Sequence, residues 1–583
     1  MTIPSLVANS FLEDLALVLC VAAVTTLVFH ALRQPVVVGY LIAGMIVGPY
    51  TPGIFVDASR LRGVSELGVI LLMFSLGLEF SIRRLLRLGP RAAFVTAVQV
   101  CLMLWLGYVC GRALGWSALE SVFTGALLSI SSTTIVAKAF AEHHVGAGLR
   151  ELSMGVLLCE DLVAVIMLAV LTPLGAGASL SAGALEWTGA RLAIYLLVTV
   201  GGGILVIPPV VRLVARLDRD ETLVVTSLAI CFAFAMEAER AGYSVALGAF
   251  LAGSLVAESG VAGHLEELVR PLRDVFAAVF FVSVGMMIDP GLIAAHWPAL
   301  ALLVGVLVAG KFVGVTMGAM LAGTPAPLAV QTGMSLAQIG EFSFIIAGVG
   351  VDTGAAHPFL YAVAVAVSAI TTFTTPFMIR ASEPVGTMIE GRAPQALARM
   401  QRLYDGWVER VNVARAATDI RLGAAAPLFF LIAGGVCVAA VVLAINYFGR
   451  PIQRELIALR LAPARAVLVS DLIAMRVAVI GMAAMLFGAR QLAARLADHR
   501  ASAAGAVTLH DRERGVMMEI VQLAIMICAG MLLLAVLQPF LQIREGVAVV
   551  MLMVCAIAIV LWRGARRLTD AGLHSSTSTK AQG

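Results

Sequence analysis

Apolar runs of about 20 residues, the length of a membrane-spanning helix, recur from the first residues of the chain to about residue 563. Hydrophobic residues make up 60% of the 583 residues and charged residues only 13%, whereas soluble domains are about 25% charged. In lipid, every backbone polar group must be hydrogen-bonded within the protein, which a helix achieves by itself. The sequence therefore predicts an all-α polytopic membrane protein.

The apolar runs fall into two groups separated by a polar stretch. Residues 1–380 contain roughly thirteen predicted spans, which we expect to form one membrane domain. Residues 381–423 are polar and amphipathic, which is typical of a cytoplasmic linker lying at the membrane surface. Residues 424–563 contain about four more apolar runs, predicted to be an additional C-terminal transmembrane region. A polar tail follows at 564–583.

Basic residues lie in alternate connections between the spans. The positive-inside rule places these connections in the cytoplasm and the N-terminus outside. Because the charge is spread along the chain and not gathered in one patch, nucleic acid is not an expected partner. We expect a multi-pass protein of the cell (inner) membrane.

Two adjacent acids, Glu160 and Asp161, lie at the middle of the apolar run SMGVLLCEDLVAVIMLAV. An ionised carboxylate at this depth costs several kcal/mol. Adjacent carboxylates can hold a dehydrated cation or protons, but repulsion and desolvation oppose the charged, empty state. This competition favours an ion and proton site. The alternative interpretation is a helix-packing pair satisfied by neighbouring donors.

Lys311 lies at the middle of another predicted span, VLVAGKFVGVTMG. A buried lysine can lose its proton, whereas a buried arginine cannot. The hypothesis is that Lys311 pairs with one carboxylate of the Glu160 span and releases it when a cation or protons bind. A permanent structural salt bridge is the alternative.

Polar runs interrupt two spans, which predicts a pair of broken helices. Secondary transporters place such pairs at the membrane midplane, one in each inverted repeat, where free carbonyls and half-helix ends meet the ion. Glu341 has two interpretations, an ion contact and a counter-charge for the broken helices. Any single serine or threonine can instead bond the preceding turn of its own helix. The candidate residues are Ser131, Ser132, Thr133 and Thr134 in the first run, and Gln338 and Glu341 in the second.

Seven motifs follow one another within residues 1–380. They are GYLIAGMIVGP from Gly39, ELGVILLMFSLGLEFS from Glu66, SSTTIVAKAF from Ser131, ALGAFLAGSLVAES from Ala246, PLRDVFAAVFFVSVGMMIDP from Pro271, GKFVG from Gly310 and LAQIGEFSFI from Leu336. Glu79, within the second motif, ends a span before an arginine cluster and is interpreted as an interfacial charge. This series over residues 1–380 resembles the cation:proton antiporter-2 family, which includes the Kef-type potassium efflux systems and bacterial sodium/proton exchangers.

The resemblance implies a 13-helix fold with inverted repeats and two crossing broken helices, working as a homodimer by alternating access. It implies that Asp161 is the principal ion and proton carboxylate. At the preceding position Kef-like members usually have glutamine and electrogenic sodium exchangers aspartate, so Glu160 departs from both patterns. No strand–helix stretch carries a dinucleotide-binding fingerprint, so we do not expect the gating domain of Kef-like systems.

We therefore predict a secondary active transporter that exchanges potassium or sodium for protons, with the lipid bilayer as its environment. We expect no cofactor, no metal beyond the transported cation and no enzymatic activity. Two alternatives stay open: a channel-like potassium efflux pathway, and a transport-inactive membrane sensor.

Overall fold

The computed structural model describes residues 11–32, 36–51, 58–80, 82–143, 145–176 and 182–392, together with isolated positions between 487 and 530. Helices account for nearly all of these residues. In chain order they are α1 (Phe11–Ala31), α2 (Val36–Val47), α3 (Ala58–Glu79), α4 (Ile82–Ala113), α5 (Ala118–Ser129), α6 (Thr133–His143), α7 (Ala147–Gly175), α8 (Ala182–Ala215), α9 (Asp220–Arg240), α10 (Val245–Ala257), α11 (Ala262–Met286), α12 (Pro290–Ala295), α13 (Trp297–Leu321), α14 (Ala326–Ser335), α15 (Glu341–Asp352) and α16 (Phe359–Arg392).

Eight of the described helical segments are long and apolar enough to cross a membrane. Two of these segments, Ala118–Ala141 and Ala147–Gly175, contain the polar run at Ser131 and the Glu160–Asp161 pair. The prediction of an all-α polytopic membrane protein is confirmed. The 13-helix count and the inverted repeats remain predictions.

The chain divides into two compact units. The first consists of residues 1–92, 106–311 and 335–380. Within it, α3 packs along α10 and α11, and α15 packs against α5 and α7. Glycines allow α3 and α10 to approach closely, because a side chain at Gly77 or Gly253 would overlap the other helix's backbone. Such contacts between small residues are typical of membrane helix interfaces.

The second unit consists of residues 93–105, 312–334 and 381–583. Two glycines one turn apart in α13 face α4. A Cβ at Gly314 would lie 3.2 Å from the Gln99 Cα, and one at Gly318 would lie 3.1 Å from the Val95 Cα. The helices therefore pack backbone to backbone here, with no room for larger side chains.

Two helices extend beyond the spans expected from hydropathy. The arginine-rich segment before residue 92 forms the first turns of α4, which begins at Ile82, and α16 runs past residue 380 to Arg392. A helix forms its own backbone hydrogen bonds, so neither end has to stop where the apolar run stops. The rest of the predicted linker, to residue 423, and the regions 424–563 and 564–583 lie outside the described residues apart from the isolated positions.

Candidate functional site

The first helix interruption separates α5 from α6 at residues 130–132. A capping box fixes the start of α5, since Ser117 Oγ accepts from the Glu120 N–H and Glu120 accepts from the Ser117 N–H. Ile130 is extended. Ser132 Oγ then accepts a hydrogen bond from the Ile135 N–H at 3.3 Å, which satisfies one of the free donors at the start of α6. The predicted break in this helix is confirmed.

The second interruption separates α14 from α15 at residues 336–340, as predicted, and it contacts the first. The Gly340 N–H donates to the Ile130 carbonyl at 3.1 Å. Ser131 Oγ donates to the Leu336 carbonyl, also at 3.1 Å. A Cβ at Gly340 would lie only 2.5 Å from the Ser131 carbonyl oxygen, so glycine allows the two chains to meet. Each break thus supplies hydrogen-bond partners for backbone groups of the other, as non-helical backbone at membrane depth requires.

Glu160 of α7 lies against this crossing, with no solvent exposure. Its Oε2 atom accepts a hydrogen bond from the Ser131 N–H at 2.6 Å and lies 3.8 Å from Lys311 Nζ. Its Oε1 atom accepts no hydrogen bond from the described residues. A buried acceptor without a donor is costly, so this oxygen is available to a proton or a cation.

Lys311 of α13 is also fully buried. Its Nζ atom donates to Ser131 Oγ at 2.5 Å, a shorter contact than the one to Glu160. The predicted pairing of Lys311 with a carboxylate of the Glu160 span is present, and the carboxylate is that of Glu160. Its role as a switch stays a hypothesis.

Asp161 has different partners from Glu160. Its Oδ2 atom accepts a hydrogen bond from Thr133 Oγ1 at 3.2 Å, and its side chain is 4% exposed. Three other carboxyl groups act on it electrostatically, those of Glu341, Glu160 and Glu79. Asp161 therefore lies where negative potential accumulates and oxygen atoms converge, an environment that favours a cation or a proton.

Glu341 and Gln338 link the two breaks to this environment. Glu341, the first residue of α15, is half-buried and accepts a hydrogen bond from Thr134 Oγ1 at 2.6 Å. Gln338 Nε2 lies 3.5 Å from the Ser132 carbonyl, and Gln338 Oε1 accepts no hydrogen bond from the described residues. Glu341 thus touches the other half-helix and acts on Asp161, so both of its interpretations are compatible with the geometry.

Glu79 is the last residue of α3 and is half-buried, flanked by the buried Leu78 and Phe80. Its carboxylate adds to the negative potential at Asp161, which lies 82 positions later in the sequence. Its interpretation as an interfacial charge stays a prediction, to which the structure adds this electrostatic effect on Asp161. The signal in the sequence is an acid between two large apolar residues inside a span-ending motif.

The arrangement divides two neighbouring carboxylates between two environments. Glu160 faces the ammonium group of Lys311, and Asp161 faces other acids and a hydroxyl group. A mobile monovalent cation and a proton can each offset the negative charge around Asp161, and both compete for the same oxygens. Carboxylate, amide and hydroxyl oxygens are the ligands that hard cations prefer.

Comparisons with known proteins identify the family to which residues 16–381 belong. The family described as sodium/hydrogen exchanger, transmembrane, matches residues 16–381. K(+) efflux antiporter 5 of Arabidopsis thaliana is 30% identical over 381 residues, covering 63% of this chain and 66% of that protein. Glutathione-regulated potassium-efflux system protein KefC of Salmonella heidelberg is 32% identical over 333 residues, covering 55% of this chain and 52% of that protein.

Among solved structures, the sodium proton antiporter MjNhaP1 from Methanocaldococcus jannaschii aligns with a TM-score of 0.49 and 13% identity, covering 65% of this chain and 97% of that chain.

The chain thus spans less than two thirds of the length of the curated relatives it matches. The family match nevertheless covers most of the chain, including both helix breaks, α7 and Lys311. The resemblance inferred from the sequence motifs is confirmed over this part of the chain, and the protein belongs to the transmembrane sodium/hydrogen exchanger family.

Proposed function

We propose that this protein is a secondary active transporter that exchanges potassium or sodium for protons by alternating access. In this proposal it is a homodimer in the cell (inner) membrane with its N-terminus outside. Asp161 is the principal carboxylate for cation and proton, and Glu160 assists it. The oxygen-rich breaks at Ser131–Thr134 and at Gln338–Glu341 surround the site.

One observation carries the proposal: two adjacent carboxylates of α7 lie at the crossing of two broken helices and are almost fully buried. Only one of them has a lysine beside it. The charge of the other has to be offset each time the site is sealed from water, since an isolated buried carboxylate is strongly unfavourable. A cation does this in one direction of transport and protons do it in the other.

Exchange follows from the same requirement. When Asp161 is ionised and empty, the site resists the sealed state because the charge would be buried without a partner. When a cation or a proton neutralises Asp161, that cost is removed and the protein can change the side to which the site opens. The fixed pair of Glu160 and Lys311 lets one carboxylate of the two remain charged in the sealed state.

The relatives support a monovalent cation as the second substrate. Two of them are named as potassium efflux proteins and the family as sodium/hydrogen exchangers. Glu160, in place of the glutamine of Kef-like members, brings the site closer to the electrogenic type. Potassium and sodium are therefore both candidates, and the assay has to compare them directly.

The test is a proteoliposome assay with the purified full chain and a pH-sensitive dye trapped inside. Potassium, sodium or lithium is added outside in turn, and protein-free liposomes are the control. The proposal expects saturable, cation-driven proton movement with at least one of potassium and sodium. Repeating the assay with an imposed membrane potential separates electrogenic from electroneutral exchange.

The two alternatives give different results in this assay. A channel-like pathway conducts the cation without obligatory proton counterflow, so a potential appears but the internal pH changes only when a protonophore is present. A transport-inactive sensor gives the same trace as protein-free liposomes for every cation. Either result overturns the exchange proposal.

A further inference from the structure

Ser131 forms hydrogen bonds with three separate parts of the site, and none of these three bonds involves Asp161. Its N–H donates to Glu160 Oε2 at 2.6 Å, and its Oγ atom accepts from Lys311 Nζ at 2.5 Å. The same Oγ donates to the Leu336 carbonyl at 3.1 Å. All of these groups belong to the compact unit that contains residues 106–311 and 335–380.

The hydrogen-bond capacity of a hydroxyl group makes these contacts interdependent. A serine hydroxyl has one donor and two acceptor lone pairs. Because its single hydrogen is directed at the Leu336 carbonyl in the second break, its lone pairs are left to face the lysine. The Leu336 carbonyl therefore sets the orientation in which Ser131 receives the ammonium group.

The distances place the ammonium group closer to Ser131 than to Glu160. Lys311 Nζ lies 3.8 Å from Glu160 Oε2, beyond the usual 2.7–2.9 Å of a charge-assisted hydrogen bond. Its contact with Ser131 Oγ is 2.5 Å. Lys311 and Glu160 are both fully buried, so water does not compete for the ammonium group. Among the described residues, Ser131 is its nearest hydrogen-bond partner.

We propose that Ser131 is a positioning residue, whose main-chain N–H holds Glu160 and whose hydroxyl holds Lys311 beside Glu160, so that the ammonium group does not compete with the transported cation for the carboxylates. This inference rests on the proposed exchange function. It assigns Ser131 a role that differs from cation ligation, the role that its place in the helix break had suggested.

A defined kinetic change follows when the hydroxyl is removed. In Ser131→Ala the main-chain bond to Glu160 remains, but Lys311 loses its nearest partner and moves onto the carboxylate oxygens. The cation must then displace the ammonium group before it binds. The apparent KM for the cation rises about tenfold, comparable to the loss of one charge-assisted hydrogen bond, while kcat changes little.

Ser343→Ala is the matched control. Ser343 is also fully buried and its Oγ donates to a carbonyl of the other broken helix, Leu127, at 2.6 Å. The Ser343→Ala substitution therefore removes the same kind of hydrogen bond between the two broken helices, but it leaves the contact between Lys311 and Ser131 unchanged. We expect a wild-type KM, whatever the loss of thermal stability. Ser131→Thr keeps the hydroxyl and is expected to keep the KM within about twofold, which corresponds to about 0.4 kcal/mol.

The experiment measures KM and kcat for cation-driven proton movement in proteoliposomes for the wild type and the three variants. Ser131→Cys, which keeps the size but is a weak acceptor, replaces Ser131→Ala if the alanine variant does not fold, and its KM is expected to rise as well. A raised KM restricted to the alanine or cysteine variant supports the inference. It is overturned by a wild-type KM in that variant, by an equal rise in Ser343→Ala, or by a loss of kcat alone.

The two proposals fail in different ways in this experiment. If the wild type shows no cation-driven proton movement, the exchange function fails. If the wild type exchanges ions and Ser131→Ala has the same KM, exchange stands and the positioning role of Ser131 fails.

Discussion

Glu160 and Asp161 are consecutive residues of α7, yet their carboxyl groups have separate partners. Glu160 lies 3.8 Å from Lys311 Nζ, whereas Asp161 accepts from Thr133 Oγ1. Successive side chains of an α-helix point about 100° apart. One residue of separation therefore places Glu160 beside the Lys311 ammonium group and places Asp161 in a separate environment, where we propose that a mobile ion neutralises it.

Removing the counter-charge of Glu160 should destabilise the protein. In Lys311→Gln the Glu160 carboxylate is buried without a cation, and breaking a buried pair costs about 3–5 kcal/mol. We expect a clearly lower Tm in detergent, and recovery of most of the loss in the double variant Glu160→Gln/Lys311→Gln. Lys138→Gln, at a partly exposed position of α6, is the control. Equal Tm values for Lys311→Gln and for the double variant Glu160→Gln/Lys311→Gln would contradict the pairing of Lys311 with Glu160.

Neutralising Glu79 should weaken cation binding without abolishing transport. The carboxylate acts on Asp161 from α3, and a separated charge near a partly wet site contributes roughly 0.5–1 kcal/mol. Glu79→Gln should therefore raise the apparent KM for the cation about twofold to fivefold at low ionic strength, and less at high salt. Glu66→Gln removes an exposed acid from the same helix and should leave the KM unchanged. The same KM increase in both variants would rule out a specific effect of Glu79.

Adding one methyl group at Gly340 should disrupt the crossing of the two breaks. The Cβ would lie 2.5 Å from the Ser131 carbonyl oxygen, and relieving such a clash costs about 1–3 kcal/mol. Gly340→Ala should lower both the Tm and the transport rate. Gly305→Ala, where a Cβ meets nothing within 4 Å, should keep the Tm or raise it, since alanine favours a helix over glycine. A wild-type Tm for Gly340→Ala would mean that the breaks do not meet this closely.

Much of this site could be predicted from the sequence, because burying charge in lipid is costly. Glu160, Asp161 and Lys311 stand out in apolar runs, and the polar runs at Ser131 and Gln338 mark the helix breaks. The structure brings these features together. Their chemistry, and not their spacing along the chain, is what made them recognisable.

Other features could not be predicted, since they depend on how distant segments pack. The sequence does not tell which of two adjacent acids faces Lys311, because that depends on the rotation of α7 about its axis. The action of Glu79 on Asp161 depends on the placement of α3. The full lengths of α4 and α16 exceed their apolar runs, because a helix can continue into the polar interface once its backbone is hydrogen-bonded.

The affinity for the cation should rise with pH, because the cation and the proton compete for the Asp161 carboxylate. Protonated Asp161 cannot hold a cation, so the apparent KM falls as the pH rises and becomes constant once the site is ionised. On the acid side the KM should rise roughly tenfold for each pH unit if one proton competes with one cation. Initial rates over a matrix of pH and cation concentration measure this dependence. An apparent KM that is constant across the pH range would show that cation and proton do not share a site.

We propose that Asp161 carries both the cation and the proton. Tracer cation uptake driven by an imposed pH gradient in proteoliposomes tests this role, comparing the wild type with Asp161→Asn. Asp352→Asn, at the exposed end of α15, serves as the matched acid-to-amide control. We expect gradient-driven uptake in the wild type and the control, and none above protein-free liposomes in Asp161→Asn. Full gradient-driven uptake by Asp161→Asn would show that another group carries the ions.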